Sequence, residues 1–234
     1  MGRPPTNEPE TPLSGFRILP RQRQVDPSVV GQFSLLPVAN ISDCMHRMTA
    51  AGPRLRPMHQ GGTLAGVALT VKTRPGDNLL IHKALDLAQP GDVIVVDGGG
   101  DLTNALIGEI MVTYAARRGI AGFVMNGAIR DAAMIGAGAF PVFAAGVTHR
   151  GPYKDGPGEI NVPIAIDGMV IHPGDLIVGD DDGLVCVPFD EVTQVLAATL
   201  AKGHAEKKTL EDIANGTHDT AWVDAALRRN GCEF

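Results

Sequence analysis

Long apolar runs and clustered basic residues are both missing from this 234-residue sequence. No segment approaches the roughly 18 uninterrupted apolar residues of a membrane-spanning helix, and the first thirty residues contain no apolar signal core. The formal net charge is -6 at pH 7, which argues against nucleic-acid binding because that binding depends on clustered Lys and Arg. We therefore expect a cytoplasmic protein that binds neither membranes nor nucleic acids.

Cysteine is also scarce, with only Cys44, Cys186 and Cys232 in the chain. Their number is odd and their spacings fit neither a zinc site nor a disulfide framework, so we expect reduced thiols. What the chain does contain is 44% hydrophobic and 20% charged residues, a balance that excludes wholesale disorder. The length suits one large α/β domain with a tail at each end.

Several catalytic motifs are absent: the phosphate loop, the H-E-x-x-H zinc helix and the G-x-S-x-G nucleophile elbow. The turn Gly98-Gly99-Gly100 after Asp97 superficially looks like a dinucleotide-binding turn. Thr103, however, occupies the place of the third glycine in the G-x-G-x-x-G fingerprint. A nucleotide site is therefore disfavoured.

Composition and periodicity divide the chain into three parts. Residues 1–27 are polar and proline-rich, which predicts a flexible arm whose prolines prevent regular backbone pairing. Residues 28–215 are interpreted as the main domain, and residues 216–234 as a C-terminal helical arm.

Within the main domain, helices and strands alternate in the first half. The pattern predicts helices at 38–50, 79–88 and within 102–118, and strands at 66–73, 92–97 and 122–126. This alternation favours parallel strands with right-handed crossovers. Beyond residue 140 we expect antiparallel hairpins, built from short strands at 140–145, 162–166, 168–171, 175–179 and 184–187, followed by a helix from residue 189.

The segment from Asn126 to Asp131 lies where α/β proteins often have a functional site. Asn126-Gly127 follows a buried strand, so Arg130 and Asp131 should lie just beyond its carboxyl end, where open α/β folds bind ligands. Asp131 and Glu109 offer hard oxygen ligands for magnesium or manganese. Adjacent Arg and Asp on a loop are also commonly just solvated, so both interpretations stay open on spacing alone.

A second element completes this hypothesis. If a helix begins near Gly108, its first amides, including those of Ile110 and Met111, lack helical partners and can bind a carboxylate. Arg130 would supply a planar cationic fork for the same anion. Glu109 has no Lys or Arg three or four residues away, so an inward-facing carboxylate would need a metal, a ligand or a distant partner. The set fits a small 2-oxo acid bound with a divalent metal.

From about Ile41 to Glu206 the sequence resembles the RraA-like proteins. This family includes class II pyruvate aldolases acting on 4-hydroxy-4-methyl-2-oxoglutarate and 4-carboxy-4-hydroxy-2-oxoadipate. The matching segments are residues 65–71, 90–97, 127–131, 140–144 and 173–183, of which the Gly-x-x-Arg-Asp element at 127–131 is diagnostic. The resemblance implies a layered α/β swivelling fold with βαβ units, a parallel portion, antiparallel hairpins and a C-terminal helical arm.

The resemblance also implies roles for the residues around that element. Asp131 corresponds to the direct metal ligand, and Arg130 to the arginine that contacts the pyruvyl group and stabilises its enolate. The amides of Ile110 and Met111 correspond to those that bind the substrate carboxylate. Glu109 stands where the family has an aspartate that holds metal-bound water.

Other implied positions lie outside this segment of the chain. Glu206 corresponds to a carboxylate that reaches the metal waters from a neighbouring subunit, although a solvated residue is an equally open interpretation. Asp43, Asn78 and His82 correspond to polar positions lining the cleft. The resemblance further implies a homotrimer or homohexamer.

The activity implied is that of a magnesium- or manganese-dependent lyase that releases pyruvate from a 4-hydroxy-2-oxo acid, with oxaloacetate decarboxylation as a side activity. The alternative is a non-catalytic binding protein like the family's ribonuclease E regulators. A menaquinone methyltransferase is disfavoured because the glycine turn does not fit a nucleoside site.

Two loops complete the sequence hypotheses. Asp180-Asp181-Asp182 precedes Gly183 and is interpreted as a structural hairpin turn, because three consecutive carboxylates do not converge easily on one ion. Residues 151–159 predict a mobile loop bordering the cleft, in which Lys154 or Tyr153 would contact the distal end of a substrate.

Overall fold

A computed structural model describes residues 13–234. Its strands are β1 (Phe16–Ile18), β2 (Arg56–Pro57), β3 (Leu64–Thr73), β4 (Asp92–Asp97), β5 (Ala105–Ile107), β6 (Gly122–Ile129), β7 (Val142–Val147), β8 (Gly158–Ile160), β9 (Ile164–Ile166), β10 (Met169–Ile171), β11 (Leu176–Asp180) and β12 (Gly183–Val187). Its helices are α1 (Pro27–Phe33), α2 (Val38–Cys44), α3 (Leu79–Leu87), α4 (Glu109–Arg117), α5 (Ala132–Ala137), α6 (Val192–Ala214) and α7 (Ala221–Arg229), with a 3₁₀ turn at Phe189–Glu191.

Most of these strands belong to one mixed sheet. Its order is β1, β8, β3, β4, β6, β7, β2, while β5 pairs with β6, β11 pairs with β3 and β12 pairs with β11. The neighbours β3, β4, β6 and β7 are parallel, so their carboxyl ends share one edge of the sheet. The strands β9 and β10 form a separate antiparallel hairpin. The predicted α/β class, with a parallel portion and hairpins, is confirmed.

The central strand β4 shows why the sheet has two covered faces. Ile94 and Val96 pack into a core with α3 and α4, whereas Val93 and Val95 pack into a second core with β9 and β10. Successive side chains of a strand point to opposite faces, so a strand buried on both sides must be apolar throughout. A third core joins α1 and α2 to β11, β12 and α6.

Two predicted elements differ from the structure. The helix expected to reach residue 50 ends at Cys44, because His46 and Arg47 have positive φ angles of 56° and 63° that no helix accommodates. The strand β7 is parallel to β6 rather than part of an antiparallel hairpin. Its predecessor, the short helix α5, provides the crossover that a parallel connection needs.

The expectation that prolines prevent backbone pairing throughout residues 1–27 is wrong for the described part of that segment. Phe16–Ile18 forms the parallel strand β1 beside β8. Two ion pairs anchor the same stretch, Arg17 with Glu159 at 2.6 Å and Arg21 with the buried Asp92 at 2.5 Å. Residues 1–12, also assigned to the arm, lie outside the described residues.

The other end of the chain projects from the sheet. Only the first part of α6 is buried, and α7 buries none of its residues. Among residues 13–234, no helix combines the length and apolar character that crossing a bilayer requires. The helical nature of the C-terminal arm matches the sequence prediction.

The acidic triplet forms a turn, as predicted. Asp180 ends β11 and pairs with Gly183 across the β11–β12 hairpin. One carboxylate oxygen of Asp180 accepts a hydrogen bond from the Asp182 amide, and the other accepts one from the Val38 amide at 2.9 Å. The triplet therefore closes a hairpin and caps α2.

Candidate active site

A pocket of about 320 Å³ opens beyond the carboxyl ends of β5 and β6. This is the edge at which open α/β sheets bind ligands, and the volume suits a small metabolite. Its walls include backbone from β5 and the start of α4. The polar and charged side chains in the walls are those of Asn78, His82, Arg130 and Lys154.

The short strand β5 assembles this pocket. It pairs in parallel with the end of β6, placing Ile107 opposite Ile129. The Arg130 amide then donates a hydrogen bond to the Ile107 carbonyl at 3.0 Å. As a result, Gly108 lies directly beside Arg130 and Asp131, although the sequence analysis did not predict the strand that brings them together.

Asp131 binds the amino end of α4. Its Oδ2 accepts a hydrogen bond from the Glu109 amide at 2.9 Å. The residue has a left-handed conformation with φ 57°, which is uncommon outside glycine and costs energy that functional sites often carry. A Cβ atom at position 108 would overlap the Asp131 carboxylate and lie 3.0 Å from Arg130 Cγ, so this packing requires Gly108.

The amino end of α4 keeps one amide free for an anion. The Ile110 amide has no hydrogen bond among the described residues, whereas the Met111 amide donates to the Gly108 carbonyl at 3.1 Å. An unbonded amide at a helix amino terminus favours a carboxylate through its hydrogen and through the helix dipole. Of the two amides singled out from the sequence, that of Ile110 is available without rearrangement.

Arg130 supplies the cationic wall of the pocket. Its side chain is 43% exposed, and Nε lies 3.7 Å from Asp131 Oδ2. This distance exceeds a hydrogen bond, so the planar guanidinium keeps donors available for a bound carboxylate or enolate. Glu109 faces solvent beside Asp131, and its carboxylate has no hydrogen bond to another described residue. The inward orientation considered for Glu109 is therefore not observed.

Asn78 contributes a buried polar side chain to the pocket wall. Its Nδ2 donates to the Leu106 carbonyl at 2.9 Å. Its Oδ1 is buried yet has no hydrogen-bond partner among the described residues. Buried polar atoms are normally paired, so a donor on a bound molecule or a water would stabilise this oxygen. The expectation that Asn78 lines the cleft agrees with this placement.

Lys154 adds a second cation to the pocket wall, which also contains His82. Partial burial and the positive charge of Lys154 lower the pKa of His82 from its ordinary 6.5, and the charge of Asp86 opposes them. The imidazole is thus mostly neutral near pH 7. Tyr153 is absent from the pocket wall, and its ring instead lies 5.8 Å from the Arg74 guanidinium carbon.

Glu206 and Asp43 lie away from this pocket in the same chain. Lys202 bridges them, with Nζ 3.1 Å from a carboxylate oxygen of each, and Asn40 donates to Glu206 Oε2 at 2.6 Å. The Asn40 hydrogen bond, followed by Lys202, lowers the pKa of Glu206 from its ordinary 4.5. Arg47 also pairs with Asp43 at 2.7 Å.

The fold explains this separation. Glu206 lies on α6, which packs on α2, and α2 in turn contacts β11 and β12. The strand β11 pairs with the first residues of β3, from Leu64 to Val67. This cluster therefore lies toward the amino end of the parallel strands, whereas the pocket lies beyond their carboxyl ends.

The donor set fits a hard divalent cation. Within residues 13–234, no group of three or more His, Cys, Asp or Glu side chains is arranged to bind a metal. Mg²⁺ instead uses one or two carboxylates together with substrate oxygens and waters. Asp131 Oδ1 has no hydrogen bond among the described residues, so Asp131 with the adjacent Glu109 meets that requirement.

The glycine turn after β4 does not offer a phosphate cradle. The amides of Gly98 and Gly100 both donate to the Asn126 carbonyl, at 3.2 and 3.0 Å. The Gly99 amide donates to Asp97 Oδ1 at 3.0 Å. These amides stabilise the turn itself and are not free to bind a nucleotide phosphate.

The sequence-predicted residues thus fall into two groups. The structure brings Gly108, Ile110, Met111, Asn78, His82 and Arg130 together around the pocket, with Glu109 and Asp131 beside them, and it leaves Asp43 and Glu206 elsewhere. Sequence reasoning missed Asp77, the fully buried residue that precedes Asn78. An Asp two residues before an apolar helical segment is a capping signal that would have indicated it.

Fold, site and sequence together define a member of a known family. Residues 38–186 match the model of the RraA-like family, described as Aldolase/RraA, and the chain belongs to this family. A protein from Halalkalibacterium halodurans named "Putative 4-hydroxy-4-methyl-2-oxoglutarate aldolase" is 41% identical over 82% of this chain and 88% of its own length. The 4-hydroxy-4-methyl-2-oxoglutarate aldolase of Thermus thermophilus is 37% identical over 48% of this chain and 68% of its own length.

Solved structures support the same fold. An uncharacterized protein from Pseudomonas syringae superposes with a TM-score of 0.74 at 28% identity, covering 82% of this chain and 95% of that one. An RNA-processing inhibitor, RraA, from Thermus superposes with a TM-score of 0.61 at 31% identity, covering 65% of this chain and 92% of that one. Similar folds in this family thus carry names from different functional classes.

Proposed function

We propose that this protein is an oxo-acid lyase, a class II aldolase that depends on Mg²⁺ or Mn²⁺. Its substrate would be a 4-hydroxy-2-oxo dicarboxylic or tricarboxylic acid, and its product pyruvate. The observation that carries the proposal is the arrangement made by β5, which brings Arg130 and the free Ile110 amide to one pocket, with Asp131 bound to the Glu109 amide beside it. These groups are an anion site, a cationic fork and a hard carboxylate ligand.

The chain's own groups would bind and orient the pyruvyl part of the substrate. The C1 carboxylate would accept the Ile110 amide hydrogen at the amino end of α4. The guanidinium of Arg130 would donate to the 2-oxo oxygen, which gains negative charge as the reaction proceeds. Asp131, with Glu109 beside it, would hold the divalent ion, which supplies Lewis-acid polarisation of the 2-oxo group when bound.

The bond changes follow from this orientation. The C4 hydroxyl loses its proton, its oxygen forms a carbonyl with C4, and the C3–C4 electron pair moves into the pyruvate enolate. A water positioned by Glu109 would accept that proton. Protonation at C3 then gives pyruvate. Oxaloacetate would release carbon dioxide through the same enolate, which makes decarboxylation the expected side activity.

We also propose that the protein acts as a homotrimer or homohexamer in which Glu206 contributes to a neighbour's pocket. In its own chain Glu206 is partly exposed, with 46% of its side chain accessible, and lies toward the opposite end of the parallel strands. Only another copy can bring it to the metal-binding edge. There it would help to orient the waters that carry the proton from C4.

A binding protein of the ribonuclease E regulator type is the second candidate. The RNA-processing inhibitor from Thermus favours it, because its structure superposes at 31% identity. Such a protein needs no chemistry at the pocket. Retention of Arg130, Asp131 and an adjacent carboxylate in one site favours the enzyme.

The deciding experiment measures pyruvate release from oxaloacetate and from 4-hydroxy-4-methyl-2-oxoglutarate. Each reaction is run with Mg²⁺, with a chelator, and with Mg²⁺ restored, against an enzyme-free Mg²⁺ blank. The proposal expects release that the chelator abolishes and Mg²⁺ restores, and that Asp131→Ala lacks while remaining folded. No release from either substrate by the loaded wild-type protein would favour the binding protein. Release that survives chelation would refute metal dependence.

A further inference from the structure

The loop between β7 and β8 forms part of the pocket wall. It contributes Gly151, Pro152 and Lys154 to the pocket wall. Between Gly151 and Pro157 it forms no strand or helix beyond an isolated bridge at Tyr153. A loop of this kind would ordinarily move and leave the Lys154 ammonium without a defined position. Its composition likewise predicts a mobile loop.

One buried carboxylate holds this loop in place through hydrogen bonds. Asp77 is fully buried, and its Oδ2 accepts hydrogen bonds from the amides of Asp155 at 2.8 Å and Gly156 at 2.9 Å. Its Oδ1 accepts a hydrogen bond from the Leu79 amide at 2.9 Å, in the first turn of α3. A single side chain therefore links the loop to the helix that carries the pocket residue His82.

Backbone bonds fix the residue before Lys154 in the same way. The Tyr153 amide donates to the Gly76 carbonyl at 2.8 Å, and the Asn78 amide donates to the Tyr153 carbonyl at 3.0 Å. Lys154 is thus held on both sides, by Tyr153 before it and by the amides bound to Asp77 after it. Its side chain remains exposed and lines the pocket.

The surroundings of Asp77 favour the charged carboxylate that holds the loop. Burial by itself would raise the pKa of this carboxyl, but the amides of Leu79, Asp155 and Gly156, with Arg74, outweigh burial and hold the pKa below its ordinary 3.8. These hydrogen bonds and Arg74 thus favour the ionised form of the carboxylate. Hydrogen bonds to an ionised acceptor are about twice as strong as neutral ones.

We propose that Asp77 is a positioning residue: it holds the Lys154 loop so that the ammonium meets the distal carboxylate of a 2-oxo acid whose C1 carboxylate lies at α4. Asp77 does not touch the substrate. The inference rests on the proposed function for the substrate class, because pyruvate-sized acids would reach only Arg130 and Ile110. Selection for a second carboxylate would therefore depend on Lys154 and, through it, on Asp77.

The test uses two unreactive probes in binding titrations of the metal-loaded full chain. Pyruvate carries one carboxylate, and 2-oxoglutarate carries a second one at its distal end but no 4-hydroxyl group. Lys154→Gln should weaken 2-oxoglutarate relative to pyruvate by roughly fivefold, the scale of an exposed ion pair. Asp77→Asn should shift the same ratio by a similar factor, with pyruvate affinity unchanged. The double variant should be no worse than Lys154→Gln alone, since both changes remove one interaction.

The matched control is Asp155→Asn, which removes an exposed carboxylate from the same loop but keeps the amide that Asp77 binds. It should leave the ratio unchanged. Equal loss of pyruvate and 2-oxoglutarate binding in Asp77→Asn, or additive effects in the double variant, would show a merely structural role and overturn the proposal. An unchanged ratio in Lys154→Gln would do the same.

Hydrogen exchange on the wild-type protein gives a second measurement if Asp77→Asn does not fold. The amides of Asp155 and Gly156 should be protected as strongly as those of the first turn of α3, because they share one acceptor group. Rapid exchange at both amides would refute the claim that Asp77 holds the loop in place.

Binding titrations also separate this inference from the proposed function. A protein that discriminates the probes but releases no pyruvate would refute the lyase and retain the positioning role.

Discussion

Gly108→Ala is the substitution that most directly tests the site geometry. The backbone of Gly108 is extended, with φ -153° and ψ -169°, so alanine can adopt the conformation without strain. The new Cβ, however, would overlap the Asp131 carboxylate and lie 3.0 Å from Arg130 Cγ and 3.1 Å from Arg130 Nε. Both side chains must move, while the fold around them need not.

The expected loss is larger in activity than in stability. A displacement of about 1 Å at a reacting centre costs about a hundredfold in rate, which corresponds to about 2.7 kcal/mol of transition-state stabilisation. Moving Asp131 also removes its hydrogen bond to the Glu109 amide, worth about 1 kcal/mol or less where water can replace it. Replacing glycine returns about 0.4–1 kcal/mol by restricting the unfolded chain, so the two stability effects nearly cancel.

The assay measures kcat/KM for metal-dependent pyruvate release together with the thermal unfolding midpoint. Gly31→Ala, in helix α1, is the matched control, because no atom lies within 4 Å of its new Cβ. The control should keep full activity, whereas Gly108→Ala should lose about a hundredfold with a nearly unchanged midpoint. A folded Gly108→Ala protein with kcat/KM within a few-fold of wild type would refute the assignment of Asp131 and Arg130 to the reaction.

Three further outcomes are expected. Arg130→Lys should lose most of its kcat, because a point charge cannot reproduce the guanidinium fork; near-normal kcat would make Arg130 a surface residue. Glu206→Gln should lower kcat by one or more orders of magnitude. Mixed oligomers of Glu206→Gln and Asp131→Ala subunits should regain activity. If mixed oligomers form but activity does not recover, Glu206 lies outside the shared site. Binding of 2-oxoglutarate should strengthen as pH falls below 6.5, because the pKa of His82 in the free protein lies under that value and a bound anion raises the pKa. His82→Gln should abolish this trend. An identical pH dependence in the variant would show that His82 does not contact the bound anion.

Local sequence determined much of the architecture. The strand β4 and helix α3 lie within a residue of their predicted bounds, because an apolar run or an amphipathic segment closed by glycine and proline leaves few alternatives. The diagnostic element with Arg130 and Asp131 could also be recognised from local sequence, because its residues are adjacent in the chain. The domain limits at residues 28 and 215 stay predictions.

Tertiary structure decided how the site is assembled. The three residues of β5 are too few for a periodic signal, and only pairing with β6 makes them a strand that brings Gly108 to Arg130. The parallel direction of β7 likewise depends on its neighbour. The role of Asp77 arises from amides 78 and 79 positions away along the chain, and no local pattern encodes a hydrogen bond across such a separation. Sequence therefore determined the chemistry of each group, and packing determined which groups meet, because contact between distant residues follows from strand pairing and the topology of the whole sheet.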